Sequence, residues 1–172
     1  MRVAANKIKG SLYMLDLFLF IFILLPFIHL LHELGHVTFA RLFRVQHTKI
    51  VLGAGPKWFQ FTFLGTKIQW NTYYMVGGYS TNEQNGTLSP WKQALISLGG
   101  PLFNVLAVVC SIPFITASNV NMMTVFIFFN GWIGLTNLIP FKIGHKCSDG
   151  WIIVSCIKEE FQNQWKRRRK QQ

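Results

Sequence analysis

An apolar run from about Leu12 to Leu31 passes without a break into the polar pentapeptide HELGH and on to Phe43, and this run limits the folds open to the chain. As one helix rising about 1.5 Å per residue, residues 12–43 would be about 48 Å long, more than the roughly 30 Å of a hydrocarbon layer. Such a segment crosses a membrane and emerges or tilts at its C-terminal end. Asp16 is tolerable near an interface and Pro26 in a packed span. Arg2, Lys7 and Lys9 precede the run as they would in a signal peptide, but no small-residue cleavage site follows, so a retained helix is expected.

Two further spans follow the same logic. Ser89 suits an N-cap and Pro90 the first helical position, before an apolar stretch from Ala94 to Ala117. Met122 to Ile139 makes the third span, whereas Trp151 to Ile157 is too short to cross. Of the 172 residues, 51% are hydrophobic and 13% charged, and no repeat or linker divides them, so one domain over 1–172 is expected. The predicted fold class is an all-α polytopic membrane protein. It has three core transmembrane helices at about 12–43, 90–117 and 122–139, a short interfacial β-hairpin at about 50–80, and a basic C-terminal tail at about 158–172. Within the hairpin region Trp58 to Asn71 alternates aromatic and polar residues, with Phe59, Phe61 and Phe63 on one face and Gly65-Thr66 as the turn. Its aromatic face is suited to the lipid interface.

The net charge of +11 does not indicate nucleic acid, because the basic residues flank apolar runs and crowd from Lys166 to Lys170. Anionic headgroups are the partner that placement suits. With the N-terminus outside and the C-terminus cytoplasmic, only three of the seventeen Lys and Arg lie outside, as the positive-inside rule requires. HELGH then faces the cytoplasmic side of the cell membrane. Cys110, Cys147 and Cys156 have no C-x-x-C spacing and suggest neither a disulfide framework nor a thiolate metal site.

His32, Glu33 and His36 form H-E-x-x-H. On a helix the two imidazoles stand one turn apart and about 40° around the axis, so both can reach one zinc ion, with Glu33 beside them to take a proton from water. Two histidines and a glutamate at the end of a lipid-facing run are costly unless ligated or paired. His29 reads as a packing or supporting residue. Gly35 either clears space beside the metal or lets two helices approach closely. A third protein ligand is needed, and Asp149 is the best of the six carboxylates by elimination and topology; its alternative use is as a helix N-cap. His145, four residues earlier, is the other candidate. Asn104, an amide at membrane depth, needs a partner, either a developing oxyanion or another helix.

Three features together resemble the site-2 protease family of intramembrane zinc metalloproteases: HELGH at 32–36, GGPLFN at 99–104, and NLIP at 137–140 followed by SDG at 148–150. The resemblance implies Zn2+ held by His32, His36 and Asp149, Glu33 as catalytic base, and Asn104 as a catalytic residue that positions the substrate carbonyl. It also implies cleavage of transmembrane or membrane-proximal peptides, with a strand edge in the hairpin region receiving the extended substrate. Pro140 and Asp149 are nine residues apart, wider than the family's usual spacing. The stretch between the first two spans is too short for the peptide-binding insert of many relatives. The rival reading is a non-catalytic zinc-binding scaffold or immunity protein, which would have no need of Glu33.

Overall fold

The computed structural model describes residues 14–83, 88–118, 120–144 and 146–169. The first helix, α1, is Met14–Leu42. Pro26 has no N–H for the preceding turn, and just before it the helix widens into a π turn, Phe20–Leu24, in which the Leu25 N–H reaches back to the Phe20 carbonyl. At its other end Arg44 takes φ 62°, the Val45 N–H bonds the Ala40 carbonyl at 3.0 Å and the Arg44 N–H that of Arg41 at 2.9 Å. These paired bonds satisfy the last carbonyls and stop the helix. Val45 then tucks into a small core with Ala40 and Ile96.

Two long strands follow, β1 (His47–Phe63) and β2 (Thr66–Glu83), joined by Leu64 and Gly65, both at positive φ. This is the backbone of a tight hairpin turn. The hairpin is larger than the sequence suggested, and it doubles back. Phe59–Phe63 pair with Thr66–Trp70, while Thr48–Leu52 pair with Thr66–Trp70 on one side and with Gly78–Asn82 on the other. The segments therefore lie in the order 59–63, 66–70, 48–52, 78–82, which leaves 78–82 at an edge. Gly53, at φ 80°, sits where β1 turns back, and a side chain there would strike the Tyr73 and Tyr74 backbone. Ile50 and Leu52 bury against Val37 of α1, which fixes the sheet beside that helix.

Helix α2 is Pro90–Ser111, continued by a 3-10 turn to Phe114, and α3 is Val120–Leu138. A small hairpin, β3 (Lys142–Ile143) with β4 (Lys146–Cys147), leads into α4 (Asp149–Arg169). The expected C-terminal tail is thus helix through to Arg169. Contacts of Ala40 with Ile96 and His36 with Gly100 run α1 antiparallel to α2, and those of Asn104 with Asn130 and Pro101 with Gly134 run α2 antiparallel to α3. At the far end Asp16 and Phe20 lie beside Ser118, Met122 and Phe129. Outward faces carry Phe18, Phe22 and Phe27 on α1, Val105, Leu106 and Val109 on α2, and Phe128, Trp132 and Leu135 on α3, all exposed. Among the described residues two helices, Met14–Leu42 and Pro90–Phe114, are long and apolar enough to cross a membrane.

Candidate metal centre

Two side chains one turn apart on α1 and a third from the start of α4 converge where α1, α2 and α4 meet. His32 Nε2 lies 3.1 Å from Asp149 Oδ2, His36 Nε2 lies 3.3 Å from Asp149 Oδ1, and the two Nε2 atoms are 3.2 Å apart. All three residues are buried, and their ligand atoms fall within 4.8 Å of one another. The rings are turned by their other nitrogens. His36 Nδ1 donates to the Ile96 carbonyl at 2.8 Å, and His32 Nδ1 pairs with Asn104 Oδ1 at 2.6 Å. Both Nε2 atoms are thereby turned toward a shared cation, as acceptors hydrogen-bonded to the far ring nitrogen do in zinc sites.

The donor set fits zinc: two imidazoles and a carboxylate, with a position left over. Space for the ion is held open by Gly100, where an added Cβ would run into His36 Nε2 and come within 2.7 Å of His32 Nε2. Gly35 does a different job. Its missing side chain lets α1 lie directly on the Gly99 backbone of α2.

Asp149 reaches the histidines because Ser148 relieves it of capping. The Ser148 hydroxyl oxygen accepts the Trp151 N–H at 3.1 Å and the Phe141 N–H at 3.0 Å, and donates to the Ile139 carbonyl at 2.7 Å. So the cap of α4 is Ser148, and Asp149 is the first residue inside the helix. The wide Pro140–Asp149 spacing is taken up by β3 and β4, which loop out and close on the Ser148 N–H to Phe141 carbonyl bond of 3.0 Å. Gly150 completes the motif, since a Cβ there would collide with the Leu138 carbonyl. His145 lies outside the described residues.

Glu33 is buried, lies under Gly78, and lines the same cavity of about 230 Å³ as the two histidines and Asp149. It makes no hydrogen bond or ion pair among the described residues. The edge strand also lines the cavity, through Gly78, Tyr79, Ser80 and Asn82. The sequence pointed to Trp58–Asn71 for such an edge, but the doubling back of the hairpin turns the later segment to the metal ligands. His29 donates to the Leu25 carbonyl of its own helix at 2.8 Å and stays out of the ligand set. Asn104 has no exposed surface, and its Nδ2 donates to Asn130 Oδ1 at 2.9 Å. The Asn130 contact with Asn104 and the capping of α4 by Ser148 are the two supporting interactions that the sequence did not announce. Asn130 carried the same signal as Asn104, an amide inside an apolar helix.

A buried His-His-Asp cluster with a neighbouring glutamate, held by helices that are apolar on the outside, is the construction of a membrane zinc metalloprotease. The model of peptidase family M50, the site-2 protease family, matches residues 19–121, and the chain belongs to that family. The match takes in His32, Glu33, His36 and Asn104 and ends before Asp149. Zinc is the family's cofactor. Two relatives carry the name "Putative zinc metalloprotease". The one from Thermotoga maritima is 36% identical over 93 residues, covering 45% of this chain and 18% of the relative. The other, from Borreliella burgdorferi, is 30% identical over 108 residues, covering 51% and 25% respectively. The alignment thus spans a quarter or less of either relative's length.

Proposed function

We propose that this protein is a zinc-dependent intramembrane endopeptidase, folded as one domain over 1–172, that cleaves a transmembrane or membrane-proximal peptide. The observation that carries the reading is the convergence of His32, His36 and Asp149 with the unpaired carboxylate of Glu33 in one cavity. A purely structural zinc site is closed and has no use for such a base. Zinc bound there would lower the pKa of a water and polarise the scissile carbonyl. Glu33 would take a proton from the attacking water as its oxygen bonds the carbonyl carbon, and return that proton to the amine nitrogen as the C–N bond breaks. His32, His36 and Asp149 are the ligands. Asn104, whose amide is engaged by His32 and Asn130, acts through His32 instead of on the carbonyl. An extended peptide adds to the free edge at Gly78–Asn82, where backbone hydrogen bonds hold it across the cavity.

Three crossings suit this reading. Helix α3 has no charged residue, is 19 residues or about 28 Å long, and lies antiparallel to a helix that is itself long enough to span. The N-terminus is outside, and the site and C-terminus are cytoplasmic.

The test is Glu33→Gln. Zinc content should remain stoichiometric while cleavage falls by at least the roughly 10²–10⁴-fold that a general base contributes. The readout is the set of membrane peptides that accumulate uncut in cells bearing the variant in place of the natural protein. Identical peptide profiles with zinc retained would favour the scaffold.

A further inference from the structure

We propose that Asn130 is a positioning residue for the metal centre, orienting the His32 ring through Asn104 from a helix that carries no ligand. This rests on the reading of His32 as a zinc ligand. The relay begins at the Phe126 carbonyl, which can only accept, and the Asn130 amide group donates to it at 2.9 Å. With its nitrogen committed there, Asn130 turns its Oδ1 to Asn104, which donates Nδ2–H across 2.9 Å. Asn104 in turn has only its Oδ1 to offer His32, and Nδ1 lies 2.6 Å from it. Each amide's direction is fixed by the one before it. The result is that His32 keeps a proton on Nδ1, which makes Nε2, beside His36 and Asp149, the nitrogen it can give to a metal.

Burial makes the direction binding. Asn104 and Asn130 both have 0% exposure, so no water can substitute for a misdirected amide. Gly134, one turn after Asn130, allows the approach: a Cβ there would stand 3.2 Å from Asn104 Cβ. A reversed Asn104 would set an N–H against the Nδ1–H of His32, and the ring would answer by moving its proton to the metal side. The Asn130–Asn104 pair thus couples the packing of α2 on α3 to the metal affinity of α1.

Histidine-selective ¹⁵N NMR on the zinc-free, full-length protein reads the first consequence without any substitution. His32 Nδ1 should carry a proton before metal is added, whether or not Nε2 also holds one against Asp149; a ring protonated on Nε2 alone overturns the proposal. Chelator competition reads the second. Asn130→Leu should weaken zinc binding by about 10–100-fold, the usual cost of losing an outer-shell partner. The double variant Asn104→Asp with Asn130→Leu should regain most of that affinity, because a carboxylate accepts from Nδ1–H with either oxygen and needs no orienting neighbour. Thr124→Val, exposed on the same helix, should change nothing. Unchanged affinity in Asn130→Leu overturns the relay, and so does failure of the double variant to recover, which would reduce Asn130 to packing. A natural protein that binds no zinc would instead remove the proposed function, while the tautomer still judges the relay.

Discussion

Replacing Asp149 by alanine should cost the protein its zinc, by more than the roughly 10–100-fold attached to a residue behind the ligands, because one of the three proposed ligands goes. His145→Ala should leave zinc bound. Metal analysis of both variants, in protein shown to be folded, decides between them; metal lost in the histidine variant and kept in the aspartate variant would reverse the assignment. The two histidines and Glu33 were legible because their spacing is local: an i, i+4 pair shares a helix face whatever the rest of the chain does. Asp149 was reached by elimination, by topology and by the resemblance of its SDG context, since nothing local says that Ser148 takes the capping role. Asn130 was not legible as a partner of Asn104, because the register between α2 and α3 is a property of packing that neither sequence carries alone.

Between elements, neighbouring glycines separate fold from chemistry. Gly35→Ala puts a Cβ against the Gly99 carbonyl and backbone, with no side chain to yield, so α1 and α2 must part. The expected cost is about 1–3 kcal/mol, the range for overpacking a tight core, and should appear as a lowered thermal midpoint in detergent. Gly100→Ala meets the imidazoles instead, which can swing away. Its thermal midpoint should move less, and zinc affinity should fall more, than in Gly35→Ala. Equal effects of the two variants on both readouts would mean the glycines serve a single purpose. The first three helices were foreseen to within a few residues at their ends, since a long apolar run has few other uses, whereas α4 was expected only as a short apolar piece and a basic tail. The sheet was foreseen only in part: alternation revealed strands around Trp58–Asn71, but the doubling back at Gly53 depends on pairing between segments far apart, and it decides which edge meets the metal.

For the whole molecule, the site requires that the C-terminal end of α1, the N-terminal end of α2 and the C-terminal end of α3 share one side, since His36, Ile96 and the residues leading to Asp149 meet there. Asp16 and Ser118 lie together at the opposite end. From Asp16 to His32 is sixteen residues, about 24 Å of helix, so with Asp16 at one interface of a roughly 30 Å hydrocarbon layer the cluster would fall inside the layer toward the other face, the cytoplasmic one in the proposed orientation. Cysteine labelling checks both the spans and their sense, in variants freed of Cys110, Cys147 and Cys156. Ser118→Cys should react with an impermeant reagent applied outside intact cells, whereas Gln164→Cys should react only after permeabilisation. Labelling of both from one side would mean that α3 does not cross. The opposite assignment, Gln164→Cys outside and Ser118→Cys inside, would keep three crossings but turn the cleft outward. That outcome would set most of the seventeen Lys and Arg against the positive-inside rule, leaving the basic end of α4, Lys166 to Arg169, away from the anionic leaflet that its charge suits.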